Sequence, residues 1–239
     1  MESRGTVDYS VVVPIKDEEE SLPHLVRRIQ AVLRDENYEI VLVDDGSTDQ
    51  SLTLIRDLSR NDHTVRYLSL DRNYGKSTAL AAGFDKAEGK IIVTLDGDLQ
   101  NVPEDIPLLL DCLSECDLVV GQRVDRKDSL IRRLSSRIAN TVRNWATNDG
   151  IADAGCGLSA FHKSCLSRVR LYKGADRFLA TLFIIEGLRV KQIPVSHHRR
   201  IYGHSKYGVW NRLWCGLMDL LALRWMISRD LKYGVREEK

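Results

Sequence analysis

The sequence predicts an α/β protein, a mainly parallel sheet flanked by helices. Three observations predict it. Short β-branched runs alternate with amphipathic helical stretches as far as about residue 120, the rhythm of a parallel sheet with crossover helices. Two of those runs end in carboxylate-rich turns, at Asp44-Asp45 and Asp96-Gly97-Asp98, and open α/β sheets bind their ligands at the carboxyl ends of their strands. The chain has 239 residues, 43% hydrophobic and 29% charged, which suffices for one domain with a full core.

The elements follow in order. Tyr9–Ile15 reads as a strand and Glu18–Arg34 as a helix, with Leu22, Leu25, Val26, Ile29 and Leu33 recurring on one helical face. Glu39–Val43, Val65–Leu70 and Ile91–Leu95 read as strands. Thr48–Asn61, Ser77–Ala87 and Pro103–Ser114 are the helices after them, and Asp117–Val120 is a further strand. Right-handed crossovers then place these strands in one sheet. Leu130–Thr147 is a helix carrying Arg132, Arg133, Arg137 and Arg143, residues 149–161 form a constrained turn leading into a strand, and Leu188–Val195 is another strand. The stretch after it holds His197, His198 and His204 among arginines, read as solvent-exposed or phosphate-facing. The last helix, Val209–Ile227, is apolar over most of its circumference and carries Trp210, Trp214 and Trp225, with Arg212, Arg229 and Lys232 nearby. That pattern suits a helix lying in a membrane interface; a core or dimer helix is the alternative.

Net charge is +1 but unevenly spread. Residues 1–120 hold 12 Lys/Arg against 24 Asp/Glu, and residues 121–239 hold 23 against 10. An acidic, metal-binding half and a basic half that meets anions would be so arranged. The five cysteines form no CxxC pair and no zinc framework, which points to reduced thiols. The polar start, Met1 to Asp8, predicts no signal peptide, and the lack of a run of ~20 uncharged apolar residues predicts no spanning helix.

The chemistry concentrates in Asp96-Gly97-Asp98-Leu99-Gln100. Two carboxylates and an amide oxygen suit a hard divalent cation, Mg2+ or Mn2+, of the kind that bridges substrate phosphates. Taken alone, the pair could equally be a strand-end turn that caps the next helix. The absence of GxGxxG and GxxxxGK[ST] argues against a dinucleotide-binding dehydrogenase and a P-loop NTPase.

With these residues in view, the chain resembles the family-2 nucleotide-sugar glycosyltransferases of GT-A fold, and among them the polyprenyl-phosphate sugar synthases. The resemblance is carried by Val11-Val12-Val13-Pro14 with Glu18, Val43 to Asp49, Asn73-Tyr74-Gly75-Lys76 with Gly83-Phe84, and Asp96 to Gln100. It continues through Val120-Gly121-Gln122-Arg123, Asp153 to Phe161, and Arg200 to Lys206. It implies a GT-A domain over residues 1–208, with a nucleotide-binding half (1–120) and an acceptor half (121–208), followed by an amphipathic helix and tail (209–239). It implies that Pro14, Glu18, Asp44, Asp45, Lys76 and Gly97 bind the donor, and that Asp96, Asp98 and Gln100 hold the metal. Arg123, Arg132, Ser136, Arg200 and Lys206 would bind the acceptor phosphate and the leaving diphosphate. The resemblance further implies that Asp96, Asp98, Arg123 and Asp153 form the catalytic set. Lys16 and Asp17 depart from the family pattern, standing where an aromatic residue and an asparagine are usual.

Sugar transfer from a nucleotide diphosphate needs the leaving group neutralised, by a cation acting as Lewis acid and by Arg or Lys. A hydroxyl acceptor also needs a general base. A lipid phosphate is already an anion and needs cations to bring two phosphates together. An arginine-rich half without a Ser-His-Asp or Cys-His set fits the second case. The expected activity is therefore inverting, metal-dependent transfer of a sugar from GDP-mannose or a UDP-sugar to dolichyl or undecaprenyl phosphate. It would occur at the cytoplasmic face of the cell membrane, on a peripheral protein docked by its C-terminal helix. A homodimer or a small membrane-protein partner stays open. One alternative is a family-2 enzyme with a hydroxyl acceptor, with Asp153 as base. Another is nucleic-acid binding or nucleotidyl transfer, against which stands the lack of a basic strand interleaved with aromatics.

Overall fold

The computed structural model describes residues 6–124, 130–199 and 209–229, without the side chains of residues 130–137, 139 and 209–215. Among the described residues seven strands form one sheet: β1 (Tyr9–Ile15), β2 (Tyr38–Asp44), β3 (Val65–Ser69), β4 (Ile91–Thr94), β5 (Leu118–Arg123), β6 (Ser159–His162) and β7 (Val190–Val195). Their order is β3-β2-β1-β4-β6-β5-β7. β1 pairs in parallel with β2 and β4, β2 with β3, and β5 with β7. Only β6 runs the other way, antiparallel to both β4 and β5. The mainly parallel sheet expected from the sequence is therefore present, and it runs through both halves of the chain.

The helices are α1 (Leu22–Val32), α2 (Ser51–Asn61), α3 (Lys76–Lys86), α4 (Ile106–Cys112), α5 (Leu130–Thr147), α6 (Leu179–Ile185) and α7 (Val209–Ser228). Two start later than their apolar spacing suggests, for one reason. The backbone N–H groups of Glu18 and Glu19 donate to Ser51 Oγ (2.8 Å) and Asp49 Oδ2 (3.2 Å), while those of Thr48 and Gln50 donate to Asp17 Oδ1 (2.6 Å) and Glu19 Oε2 (2.7 Å). The segments before α1 and α2 are thus zipped to each other, and side chains that could cap a helix hold a loop instead. Pro23 then occupies the first turn of α1, where its missing N–H costs nothing.

Alternating strand residues fill both faces of the sheet. Val11, Val13 and Ile15 pack with Leu25 and Ile29 of α1 and Leu109 of α4. Val12, Val41 and Val43 face Leu80 and Phe84 of α3, Leu179 of α6 and Leu223 of α7. Phe84, Phe161 and Phe183 join α3, β6 and α6 edge to face, with ring centroids 5.3 and 5.4 Å apart. Burying each such ring is worth roughly 1.5–3 kcal/mol. At the amino ends of the strands, buried Glu39 accepts from Ser10 Oγ (2.6 Å), the Glu88 N–H (2.5 Å) and Arg66 Nη1 (2.5 Å). This pins β1, β2 and β3 at the edge away from the carboxylate-rich turns.

Arg143, one of the arginines that the sequence places on α5, is buried. It pairs with Asp149 at 3.6 Å, and Asp149 accepts from Thr181 Oγ1, which ties the end of α5 to α6. On α7, Leu220 and Leu223 are buried, while Leu217, Met218, Leu221 and Trp225 are exposed, as are Ile138, Val142 and Trp145 on α5. Arg224 bridges the two helices, stacked 5.3 Å over the Trp145 ring with Nη1 donating to the Ala146 carbonyl (3.3 Å). Among the described residues no helix is long and apolar enough to cross a membrane.

Candidate functional site

β1 lies between β2 and β4, with Ile15 opposite Asp44 and Val12 opposite Thr94. The carboxyl ends of these parallel strands therefore share one rim, which brings Asp44-Asp45 and the Asp96–Gln100 loop to either side of Pro14. The Pro14 carbonyl lies 3.4 Å from where a β-carbon on Gly97 would stand.

On the β2 side, both aspartates are buried and shape loops. Asp44 accepts from the Ser47 N–H (3.0 Å) and Ser69 Oγ (3.1 Å). Asp45 accepts from the N–H groups of Tyr74 (2.7 Å) and Gly75 (2.9 Å), fixing the turn that leads into α3. Lys16, at the family's aromatic position, donates to the Gly46 carbonyl (2.5 Å). Asp17 adopts φ +47°, a backbone region that Asn and Asp enter most readily among non-glycine residues. Glu18 Oε2 accepts from Ser21 Oγ (3.1 Å), and Ser21 Oγ also donates to the Gly97 carbonyl (2.7 Å). Glu18 is thereby joined to the Asp96–Asp98 turn.

The β4 turn is built under constraint. Leu99 is buried with φ +59°, a conformation that costs a bulky residue about 1–3 kcal/mol and recurs at functional sites. It lets Asp98 Oδ1 accept from the Gln100 N–H (3.1 Å). Gly157 passes so close to Asp96 that a β-carbon there would overlap the carboxylate. Lys76, the first residue of α3, pairs with Asp96 Oδ1 at 2.5 Å. Burial alone would lower the Lys76 pKa, but Asp96, Asp176 and Asp98 outweigh it and push it up to about 12.

On the far side, Asp153 clamps Arg123. Its Oδ2 accepts from Arg123 Nε and its Oδ1 from Nη2, both at 2.7 Å, and Oδ2 also accepts from the Arg123 backbone N–H (3.3 Å). The two side chains are 14% and 7% exposed. Cys156 sits beside them, its thiol pushed up to about 11 mainly by burial. Asp96, Lys76, Asp153, Asp176 and Arg177 together line one cavity. Asp176 accepts a short hydrogen bond from Ser77 Oγ, which in turn accepts from the Gly174 N–H (2.9 Å).

The structure thus brings Pro14, Glu18, Lys76, Asp96, Gly97, Asp98, Gln100, Arg123 and Asp153 to one rim and its cavity, with Asp44 and Asp45 shaping the adjoining loops. Arg200 and Lys206 lie outside the described residues, as do the side chains of Arg132 and Ser136. His197, expected at the surface or facing phosphate, is buried, because its backbone bridges to Asn101. The His198 N–H donates to the Gln100 carbonyl (2.9 Å), which sets His198 beside the Asp96–Gln100 turn. Ser77, Gly157, Asp176 and Arg177 were not singled out from the sequence. Only Gly157, in the run Gly155-Cys156-Gly157, carried a signal, since paired glycines mark close backbone approach.

Hard carboxylate oxygens at Asp96 and Asp98 fit a small divalent cation. Among the described residues no group of three or more His, Cys, Asp and Glu converges on one point. Mg2+ is typically bound through one or two carboxylates, with waters and substrate phosphates completing its shell.

Comparison with known proteins adds the lineage. The sequence family described as glycosyl transferase family 2 matches residues 10–170. The dodecaprenyl-phosphate galacturonate synthase of Rhizobium johnstonii is 37% identical over 237 residues, 96% of this chain and 70% of that protein. The undecaprenyl-phosphate 4-deoxy-4-formamido-L-arabinose transferase of Edwardsiella ictaluri is 39% identical over 204 residues, 84% of this chain and 63% of that protein. The chain therefore spans roughly two thirds of the length of these curated relatives. Among solved structures, glucosyl-3-phosphoglycerate synthase from Mycobacterium tuberculosis, in complex with Mn2+, UDP and glucosyl-3-phosphoglycerate, superposes with a TM-score of 0.70 at 20% identity. That match covers 96% of this chain and 82% of the synthase, a likeness of fold.

Proposed function

The chain belongs to glycosyl transferase family 2, and from that premise we propose that it moves a sugar from a nucleotide diphosphate sugar to a polyprenyl phosphate, with inversion at the anomeric carbon. One observation carries the choice of acceptor. The cavity's Asp96, Asp153 and Asp176 are held by Lys76, Arg123 and Ser77 respectively. A hydroxyl acceptor needs a carboxylate poised to take its proton, and a bidentate arginine pair withholds both oxygens of Asp153 from that task. A phosphate acceptor arrives already ionised. The two relatives described above are named for transfer to a prenyl phosphate, which supports the same reading.

In this reading Asp96, Asp98 and Gln100 hold Mg2+ or Mn2+, which when bound neutralises the donor's diphosphate as a Lewis acid. Lys76 adds a fixed positive charge on the same side of the cavity. Pro14, Glu18, Asp44 and Asp45 set the loops that receive the nucleotide, and Gly97 keeps the turn close to β1. Arg123, oriented by Asp153, directs its charge to the opposite wall, and Arg132, Ser136, Arg200 and Lys206 complete the phosphate-binding set. The 1–208 unit performs the transfer. The exposed apolar faces of α5 and α7 dock the protein peripherally on the cytoplasmic face of the membrane, where the acceptor's headgroup lies.

The test is incubation with UDP- and GDP-sugars, Mg2+ or Mn2+, and a short polyprenyl phosphate. The expected outcome is a lipid-linked sugar from at least one donor, abolished by EDTA and by Asp98→Asn. Donor turnover that yields only free sugar or a glycosylated hydroxyl compound overturns the reading.

A further inference from the structure

Arg177 stands apart from the other cations of the cavity. Lys76 is engaged by Asp96, and Arg123 by both oxygens of Asp153. Arg177 lines the same cavity and is half-buried, yet among the described residues its guanidinium makes no hydrogen bond or ion pair. Its charge is felt by Asp219 of α7 and by Tyr172, but neither lies within bonding reach. The turn that carries it, Ala175–Arg177, is latched to the start of α3 by the Ser77–Asp176 hydrogen bond, one residue from the Lys76–Asp96 pair. The turn is therefore held in place while the donors of the guanidinium remain available.

Its position selects the ligand. Arg177 Nη1 lies 3.5 Å from where a β-carbon on Gly216 would stand, on the α7 side of the cavity. The same helix exposes Leu217, Met218, Leu221 and Trp225. On the other side, Asp96 and Lys76 already mark where the donor's diphosphate is neutralised. We infer that Arg177 binds the phosphate of the incoming prenyl phosphate, receiving it from the α7 side and holding it against the sugar. The inference rests on the acceptor reading above and adds a residue which that reading did not include. A guanidinium fork suits a phosphate monoester, giving two parallel charge-assisted hydrogen bonds.

The test titrates the wild-type protein, Arg177→Gln and Arg177→Lys with citronellyl phosphate, and separately with UDP or GDP plus Mn2+, by calorimetry. Loss of charge-assisted hydrogen bonds predicts a roughly ten- to hundredfold weaker affinity of Arg177→Gln for citronellyl phosphate. Arg177→Lys, which keeps the charge but not the fork, should fall between and carries the test if Arg177→Gln unfolds. Nucleotide affinity should stay within about twofold, and citronellol should not distinguish the proteins. Unchanged citronellyl phosphate affinity in the folded variants overturns the inference. So does a parallel loss of nucleotide affinity, which would place the guanidinium on the donor. If the wild-type protein binds nucleotide but no citronellyl phosphate and glycosylates a hydroxyl, the acceptor reading falls first and the inference with it.

Discussion

Arg123 and Asp153 are joined by two hydrogen bonds of 2.7 Å, nitrogen to oxygen on both prongs, in a setting where neither side chain is more than 14% exposed. That geometry spends both carboxylate oxygens on orienting the arginine. Removing the acid breaks a buried ion pair, which typically costs about 3–5 kcal/mol. Asp153→Ala should therefore lower unfolding free energy by that order in urea titration. Asp153→Asn should disturb Arg123 and acceptor KM, while nucleotide binding is kept. Full stability in Asp153→Ala together with a lost pH dependence of kcat would instead make Asp153 a general base.

Gly157 supplies a second test. A β-carbon there overlaps the Asp96 carboxylate, so Gly157→Ala must displace a proposed metal ligand without changing any charge. Misplacement by about 1 Å at a reacting centre costs on the order of a hundredfold in rate. The variant should fold, lose about that factor in kcat, and bind Mn2+ more weakly when followed by electron paramagnetic resonance. Wild-type Mn2+ affinity would show that Asp96 is not a ligand.

The pH dependence of stability has a traceable contribution far from the site. Asp62 is partly buried, which alone would raise its pKa. Three hydrogen bonds outweigh that: from the Thr64 N–H (2.7 Å), Thr64 Oγ1 (2.8 Å) and Gln30 Nε2 (2.5 Å). Its folded pKa lies below the unfolded value, so its stabilisation is present above the unfolded pKa and is lost as pH falls through the folded one. Asp62→Asn should cost about 1 kcal/mol at pH 7 and progressively less below pH 4. Chemical denaturation at pH 7 and pH 3 reads the difference. An equal cost at both pH values contradicts the account.

Trp145 and Trp225 are 77% and 64% exposed on adjoining helices, and tryptophan at such positions favours the membrane interface. Replacing both by alanine should weaken binding to vesicles containing anionic lipid at least tenfold. Turnover with a short, water-soluble prenyl phosphate should be unchanged. Vesicle sedimentation measures the first and a radiolabelled-sugar assay the second; unaltered sedimentation would mean that these helices face protein instead.

Much of this was legible in the sequence, because the strongest signals are local. Each of the seven strands was announced by a β-branched apolar run or by the turn leading into it, and the family resemblance marked both carboxylate-rich turns. The misses share a physical cause. Helix α6 is a buried run of seven residues, too short for periodicity to tell it from a strand. The late starts of α1 and α2 depend on two loops finding each other across 31 to 33 residues. The burial of Arg143 and His197, and the pairing of Asp153 with Arg123, are decided by partners that only the fold brings together. Arg177 gave no signal for the same reason, since its meaning lies in which neighbouring cations are already paired.

The central claim is that the acceptor is a phosphate and not a hydroxyl. It is tested most directly by offering undecaprenyl phosphate and undecaprenol side by side, with the active nucleotide sugar and Mn2+, and identifying the lipid product by mass spectrometry. The account predicts sugar on the phosphate alone, with the anomeric configuration opposite to that of the donor. Glycosylated undecaprenol at a comparable rate, or retention of configuration on the phosphate, would contradict it.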